Sequence, residues 1–301
     1  MRSLSGPIHI SVCICTYQRP KLLARLLHEL SRQNTGDLFT FSVLVADNDE
    51  ARSAECVVRD ARSSTGMDIE YYVEPRRSIA LARNKVVQEA TGDLLAFIDD
   101  DEFPAQDWLL KLFNILAEYN VDGVLGPVMR HFDDNPPSWL QKSDLYVRRV
   151  NPTGTPVVWQ EARTGNVLLW REIVLDEAAP FRPEFRAGED QDFFKRKIRE
   201  GRSFIWSSDA AVFEVVPPAR WKRRYLLRKA LLRGATAGLH CNLRGVVKSV
   251  IAIPAYVLLL PFALLTGQHN LMTLLVKICD HLGKLMILLG INPIHEEYVS
   301  E

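Results

Sequence analysis

The first 120 residues alternate between short, mostly apolar runs with few polar interruptions and longer segments in which apolar residues recur every three or four positions. The short runs predict buried strands, and the longer segments predict amphipathic helices. The predicted strands are residues 8–15, 41–46, 69–73 and 94–98. The predicted helices are residues 21–32, 53–63, 79–90 and 106–119. Strands that alternate with helices in this way indicate an α/β fold with a mostly parallel, doubly wound sheet.

The pattern is less regular after residue 120. A strand is predicted over 121–129, and another apolar strand follows Gly165 and continues through Trp170. Residues 131–156 are rich in proline, aspartate and aromatic side chains. They predict a mobile loop over the ligand site that is expected at the strand ends. The last elements of this part are a helix headed by acidic residues, which runs through Arg199, and a strand over 210–213.

A strongly basic segment follows. Residues 220–233 contain seven Lys or Arg and no acidic residue. Three interpretations fit this segment: a solvated helix, cations near a diphosphate, or a surface that faces anionic lipid.

Two apolar segments end the chain. Residues 246–266 are long and apolar enough to span a membrane, although two prolines would kink a helix there. Residues 271–291 have the spacing of an amphipathic, interfacial helix. We therefore predict a catalytic domain over 1–240 and a membrane-anchoring helical hairpin over 241–301. A soluble hairpin packed on the catalytic domain is the alternative.

Composition limits the function classes. The 301 residues are 47% hydrophobic and carry a formal net charge of zero, so bulk charge indicates no nucleic-acid partner. Five cysteines without paired spacing predict neither a disulfide framework nor a zinc site, and they fit a cytosolic setting. His9 and Ser11 interrupt the first apolar stretch, so no signal peptide is expected. No GxGxxG or GxxxxGK follows the first strand, which argues against a dinucleotide site or a P-loop.

Four consecutive acidic residues, Asp99 to Glu102, follow the apolar strand 94–98. Like charges this close repel one another, and a divalent cation held by carboxylate oxygens would neutralise them. The alternative is a solvated acidic turn that caps the next helix. The carboxyl ends of parallel strands meet at one edge of a sheet, so we expect Thr16, Asp47 and Asp99 to converge there.

Six short motifs occur in an order and spacing that resemble bacterial family 2 glycosyltransferases with the GT-A fold. The motifs, which lie within residues 8–233, are SVCICTYQRP, VADND, SIALARNK, FIDDDEFP, TGN and GEDQDFF. The C-terminal part is similar to the non-processive, membrane-associated branch that builds exopolysaccharides such as succinoglycan. Processive synthases carry QxxRW, and only the RW of Arg220 and Trp221 is present here. Cellulose-like or chitin-like polymerisation is therefore not expected.

The resemblance implies a donor site at the strand ends. It assigns six residues to donor and nucleotide binding: Thr16, Tyr17, Asp47, Arg83, Asn84 and Asp100. Within this set, Asp47 would accept a hydrogen bond from the nucleotide base, and Asp100 would face the donor sugar or ribose.

The resemblance also implies a metal site. Asp99 and Asp101 form the DxD element that would bind Mn²⁺ or Mg²⁺ and offset the negative charge on the departing nucleotide. Many relatives place a histidine ligand after the strand predicted over 210–213. This chain has Glu214 there. A carboxylate also coordinates hard metal ions, so Glu214 is the third predicted metal ligand.

On the acceptor side, the resemblance implies that Asp190 is the general base of an inverting transfer. Asp190 would remove the proton from an acceptor hydroxyl while that oxygen attacks the anomeric carbon. Glu189 and Asn166 are assigned to acceptor binding.

Together with the C-terminal segments, the resemblance implies a hexosyltransferase at the cytoplasmic face of the bacterial inner membrane. Its donor would be a UDP- or GDP-sugar, and its acceptor a polyprenyl-linked or other saccharide. Two other classes stay open. A nucleotidyltransferase would usually need a glycine-rich phosphate loop, and residues 16–20 contain no glycine. An inactive membrane scaffold would not need the carboxylates at Asp99, Asp101 and Asp190.

Overall fold

The computed structural model describes residues 7–185, 188–239 and 241–291. They form two compact units. The first unit comprises the described chain up to Met129 together with Arg148–Val215. The second comprises Arg130–Val147 together with the described chain from Val216 onward. The domain boundary predicted after residue 240 stays a prediction, since compactness alone does not define a catalytic domain.

The first unit begins with four repeats of strand and helix. The strands are β1 (Ile8–Thr16), β2 (Phe39–Asp47), β3 (Ile69–Val73) and β4 (Leu94–Ile98). The helices are α1 (Pro20–Leu30), α2 (Glu55–Thr65), α3 (Ile79–Glu89) and α4 (Trp108–Tyr119). All eight predicted elements are confirmed, each within two residues of its expected ends. Pro20 starts α1, a position where the missing N–H breaks no helical bond.

Three further strands complete the main sheet: β6 (Gly123–Leu125), β8 (Asn166–Trp170) and β9 (Phe204–Trp206). The seven strands are ordered β3-β2-β1-β4-β8-β6-β9. β1 pairs in parallel with β2 and β4, and β2 with β3. β8 runs antiparallel to both of its neighbours. The sheet is therefore mostly parallel, as predicted, with one strand whose direction the apolar pattern did not indicate.

The single strand predicted over 121–129 is wrong, because this segment contributes to two sheets. A second sheet consists of β5 (Glu102–Pro104), β7 (Val128–His131) and β10 (Val212–Val215), with β10 in the centre. The chain breaks between β6 and β7 at Gly126 and Pro127. Pro127 has no N–H to donate to a ladder, and a Cβ on Gly126 would lie 2.1 Å from the Ala210 carbonyl oxygen.

The loop predicted over 131–156 is wrong in one part, because it contains the short helix α5 (Ser138–Gln141). Leu140 on this helix is fully buried, and Arg130 Nη1 donates to the Ser143 carbonyl at 2.8 Å. Further along the chain, β8 is followed by α6 (Glu172–Leu175) and α7 (Glu189–Arg199). Helix α7 confirms the predicted helix headed by acidic residues.

Two hydrophobic clusters cover the faces of the main sheet. Alternate residues of β1, including Ile10 and Val12, pack in one cluster with leucines of α1. Cys13 packs in the other with Phe97 of β4 and apolar residues of α3. β4 is buried along its whole length, which explains its continuous apolar run. The acidic tetrad therefore follows a strand that is buried throughout.

The second unit contains the C-terminal helices. After a 3₁₀ turn (Pro218–Trp221) they are α8 (Arg223–Leu239), α9 (Leu243–Thr266) and α10 (Gln268–Leu288). α8 and α10 approach backbone to backbone. A Cβ on Gly234 would lie 2.0 Å from the Asp280 carbonyl oxygen, and one on Gly283 would lie 2.0 Å from that of Leu231. Glycine allows this close packing because it has no side chain.

α9 is the one helix, among the residues that the structure describes, that is long and apolar enough to cross a membrane. Its large apolar side chains are mostly exposed, including Leu258, Phe262 and Leu265. Pro254 and Pro261 lie inside the helix. The predicted apolar and amphipathic helices are therefore both present.

Candidate active site

The carboxyl ends of β1 and β2 bring Thr16 and Asp47 side by side, in register. Asp47 is fully buried. Its carboxylate accepts hydrogen bonds from the Ala54 N–H (2.8 Å), the Asp49 N–H (3.1 Å) and the Tyr71 hydroxyl (2.8 Å). Burial raises the pKa of Asp47, and these donors partly offset the rise. Asp47 thus fixes the turn between β2 and α2, and its contact with a nucleotide base stays a prediction.

Side chains tie the loops after the first three strands together. The Arg77 guanidinium lies 4.6 Å from the centre of the Tyr17 ring. Asn48 donates to the carbonyls of Glu74 and Arg76, both at 2.8 Å. The ends of β1, β2 and β3 therefore form one continuous edge, which includes the predicted pocket residue Tyr17.

The acidic tetrad lies at the same edge. Asp100 is buried and accepts hydrogen bonds from the Thr16 hydroxyl (2.7 Å) and from Arg19 (2.9 Å). Burial raises the pKa of Asp100 to about 7, against the opposing effect of Arg19. Asp101 lies 3.4 Å from the same guanidinium. Glu102 is buried, and burial together with its acidic neighbours raises its pKa well above the usual range.

Arg83 extends from α3 into this acidic edge. Its Nη1 pairs with Glu189, and its Nη2 lies 3.6 Å from Asp99 Oδ1. The Arg83 side chain is 8% exposed. Burial opposes its charge, but Glu189, Asp99 and Asp190 together outweigh burial and raise the pKa of Arg83. Arg83 therefore links the acidic tetrad to the first turn of α7.

The first turn of α7 is held in place from two sides. Asn84 on α3 donates to the Phe181 carbonyl (2.7 Å) and accepts from the Phe181 N–H (3.0 Å). Gly188 precedes the helix with a φ of 85°, a conformation that favours glycine. Asp190 is half-buried, and its Oδ1 accepts from the Gln191 N–H at 2.7 Å. Asn84 thus acts on the segment before α7, while its contact with a donor stays a prediction.

Glu214 lies beside the tetrad, opposite Glu102 in the register of β10 and β5. Arg148 Nη2 is 2.6 Å from Glu214 Oε2. The charge of Arg148 is stabilised by Glu214, Glu102, Asp99 and Asp101. Asp99, Asp101 and Glu214 thus each lie near an arginine at the acidic edge, and their role as metal ligands stays a prediction.

Gly165 packs closely against the tetrad. A Cβ there would lie 2.8 Å from Glu102 Oε1 and 3.1 Å from Asp99 Oδ2. Within the described parts of the chain, no three His, Cys, Asp or Glu side chains are arranged to hold an ion. The donors are nevertheless hard carboxylate oxygens, and they fit Mn²⁺ or Mg²⁺ if they turn away from their arginine partners.

Asn166 has protein partners for its whole amide group. Its Oδ1 accepts from Trp108 Nε1 at 2.8 Å, and its Nδ2 donates to the carbonyls of Pro127 (3.0 Å) and Ala210 (2.8 Å). The residue is 2% exposed. These contacts give Asn166 a structural role, and the predicted acceptor contact would have to use the second lone pair of the buried Oδ1 or replace one of them.

We expect Asn166→Ala to lower the free energy of unfolding by about 3 kcal/mol, because it removes the partner of the buried Trp108 N–H and of the Ala210 carbonyl. The Pro127 carbonyl keeps the Val212 N–H as a donor. Asn114→Ala, an exposed change on α4, should stay within about 0.5 kcal/mol of the wild type. Urea denaturation measures both. If Asn166→Ala were as stable as the Asn114→Ala control, Asn166 would not have this structural role.

Sequence reasoning missed three arginines at this edge: Arg19, Arg148 and Arg163. Arg19 had a signal, since it lies in the motif after β1 and four adjacent carboxylates require nearby cations. The other two are distant from the tetrad in the chain and lie in segments without clear periodicity. Only the fold brings them to the site.

Comparison with known proteins points to one family. The model of the glycosyl transferase family 2 matches residues 11–174, more than half of the chain. The chain is 35% identical over 238 residues to the succinoglycan biosynthesis protein ExoM of Rhizobium meliloti (strain 1021). This similarity covers 77% of the chain and 74% of that protein.

Two solved structures are similar in fold. The mannosyltransferase PcManGT from Pyrobaculum calidifontis, in complex with GDP-Man and Mn²⁺, has a TM-score of 0.64 at 18% identity, covering 93% of this chain and 88% of that one. S. aureus TarS 1-349, in complex with UDP, has a TM-score of 0.55 at 17% identity, covering 94% and 92%. Both cover nearly the whole chain, and the fold is of the GT-A type. The chain belongs to glycosyltransferase family 2.

Proposed function

We propose that this glycosyltransferase moves a sugar from a nucleotide-diphosphate donor to a hydroxyl of a saccharide acceptor in exopolysaccharide synthesis, with inversion at the anomeric carbon. One observation carries the proposal. Arg83 contacts Glu189 and approaches Asp99, so that the acidic tetrad and the first turn of α7 adjoin one another. The relatives support the donor class, since one solved structure holds GDP-Man and the other UDP. The name of ExoM supports the pathway class.

Asp190 is the proposed general base. Its carboxylate takes the proton of the acceptor hydroxyl while that oxygen forms a bond to the anomeric carbon. The bond between this carbon and the diphosphate oxygen breaks, and its electron pair leaves with the nucleoside diphosphate. The reaction needs no covalent sugar-enzyme intermediate, and base catalysis of this kind contributes about a hundredfold to ten-thousandfold in rate.

The donor is proposed to lie along the strand ends. Thr16, Tyr17 and Asp47 belong to the base pocket, and Asn84 and Asp100 are the other proposed donor residues. Arg83, which is held charged, would reach the diphosphate from the α7 side. The two ends of the donor would thus contact different elements of the first unit.

Asp99 and Asp101, with Glu214, would hold the divalent metal. A bound Mn²⁺ or Mg²⁺ supplies positive charge that stabilises the departing diphosphate. The Mn²⁺ in the mannosyltransferase relative supports this part of the proposal.

A donor screen tests the reaction class. The full-length protein is incubated with a panel of UDP- and GDP-sugars, Mn²⁺ and a bacterial lipid extract as the acceptor source. We expect one donor to release its nucleoside diphosphate as the lipid fraction gains the sugar. A nucleotidyltransferase would instead release inorganic diphosphate from a nucleoside triphosphate and a sugar phosphate. A scaffold without activity would release neither product.

We also propose that the protein works at the cytoplasmic face of the inner membrane on a lipid-linked acceptor. The exposed apolar surface of α9 supports this proposal, because such a surface is costly to keep in water and suited to lipid. Nucleotide sugars are made on the cytoplasmic side. A shared surface would raise the effective concentration of a lipid-linked acceptor near the site.

We expect the protein to stay in the membrane pellet after washes with high salt and alkaline carbonate. Leu258→Glu with Leu265→Glu should shift most of it to the supernatant, because each change places a charge on the apolar surface of α9. Leu38→Glu, an exposed leucine of the first unit, is the matched control and should stay in the pellet. A wild-type protein that is freely soluble on lysis would contradict membrane association.

A further inference from the structure

Arg163 lies beside the first turn of α7, near Asp190. Its Nη1 donates to the Gln160 carbonyl at 3.2 Å, and Gln191 Nε2 donates to the same carbonyl at 2.7 Å. A second hydrogen bond joins Arg163 to the Ala162 carbonyl. Because Gln191 follows Asp190 directly, the shared carbonyl brings the Arg163 guanidinium next to the residue proposed as the base.

Arg163 differs from the other arginines at this edge because it has no carboxylate partner. The others are paired as Arg19–Asp100, Arg83–Glu189 and Arg148–Glu214. Over residues 7–185, 188–239 and 241–291, Arg163 makes no ion pair, and it remains exposed to solvent. Its two carbonyl contacts orient the guanidinium without neutralising it. A positive charge is therefore available for a ligand.

A second cation lies near Arg163. Burial lowers the pKa of Arg163, Asp190 raises it, the positive charge of Arg148 lowers it, and Glu189 and Glu161 raise it. The Arg148 side chain is 47% exposed although it pairs with Glu214. An oxyanion that binds Arg163 would also be attracted by the positive charge of Arg148.

We propose that Arg163 forms a subsite for a phosphate or carboxylate group carried by the acceptor. This inference rests on the proposed function, because it takes Asp190 to face the acceptor hydroxyl. The subsite lies against α7, whereas Thr16 and Asp47 at the strand ends belong to the proposed base pocket of the donor. It therefore selects acidic sugars or sugar phosphates over neutral sugars as acceptors.

Binding measurements on the full-length protein in detergent, saturated with UDP and Mn²⁺, test the subsite. Because UDP fills the donor site, a second ligand reports on the acceptor side. The probes are glucose 6-phosphate, methyl glucuronide and the neutral methyl glucoside, each followed by NMR titration. We expect the wild type to bind at least one anionic probe about tenfold or more tightly than the neutral one, because the anion gains charge-assisted hydrogen bonds.

Arg163→Gln should abolish this preference and leave the dissociation constant of UDP within twofold of the wild-type value. Arg199→Gln, an exposed change on the same helix as Asp190, should retain the preference. The identity of the preferred probe tells whether the group is a phosphate or a carboxylate.

Two results would overturn the inference directly: no anion preference in the wild type, or an unchanged preference in Arg163→Gln. A third would be a loss of UDP affinity in Arg163→Gln as large as the loss of anion affinity, which would assign Arg163 to the donor diphosphate. A wild-type protein that binds no UDP would instead contradict the proposed function, so the two failures are distinguishable.

Discussion

Asp190→Asn is expected to lower the turnover number by about a hundredfold or more, up to ten-thousandfold, while nucleotide binding survives. The amide keeps the size and position of the carboxylate in the first turn of α7, but it cannot take the proton of the acceptor hydroxyl. The measurement is steady-state release of nucleoside diphosphate, combined with calorimetry of UDP binding. We expect the UDP dissociation constant to change by less than about twofold.

Asp192→Asn is the matched control for this change. Asp192 lies in the same turn, but its carboxylate pairs with Arg196 at 2.9 Å. Loss of the Asp192 carboxylate should lower the free energy of unfolding and leave most of the turnover number. If Asp190→Asn turned over substrate as fast as Asp192→Asn, Asp190 would not be the base.

Arg83→Met is expected to cost about 3–5 kcal/mol in the free energy of unfolding. Arg83 and Glu189 are both almost fully buried and pair with each other. Removal of the guanidinium leaves the Glu189 carboxylate buried without its partner, and such an uncompensated charge costs more than the pair contributes. Chemical denaturation followed by a signal from the first unit measures the loss.

A double variant separates the unpaired charge from general damage. Arg83→Met combined with Glu189→Leu should be more stable than Arg83→Met alone, because no buried charge is left without its partner. Arg199→Gln, exposed on α7, should stay within about 0.5 kcal/mol of the wild type. If Arg83→Met were as stable as Arg199→Gln, the Arg83–Glu189 pair would not hold α7 to the acidic edge.

The alternating half of the fold could be predicted from the sequence, because each element there has a clear apolar period. Residues 94–98 form a continuous apolar run, and residues 8–15 form an apolar run interrupted only by His9 and Ser11. Both fit strands that are largely buried on both faces. The second half could not be predicted as well. The apolar pattern marks β8 as a strand but not its antiparallel direction, and the two-residue break at Gly126 and Pro127 separates strands that belong to different sheets.

The candidate site divides in a similar way. The acidic tetrad marked Asp99 and Asp101, the family resemblance singled out Asp190, and the fold brings these acidic segments to one edge. Arg83 was identified through its motif. Arg148 and Arg163 were not identified, because a cation far away in the chain leaves no local pattern. Asn166 differs, because the resemblance assigns it to acceptor binding, which stays a prediction, while its amide contacts Trp108 and two backbone carbonyls in the structure.

The central claim is that Asp99 and Asp101 lie at the diphosphate of a sugar donor while Asp190 faces the anomeric carbon. A crystal structure of the full-length protein with Mn²⁺ and a non-hydrolysable analogue of the donor identified by the screen tests this claim most directly. The account predicts an anomalous peak for Mn²⁺ that contacts both Asp99 and the diphosphate, with the Asp190 carboxylate on the opposite side of the anomeric carbon. A donor bound at another part of the first unit, or an Asp190 side chain directed away from the anomeric carbon, would contradict it.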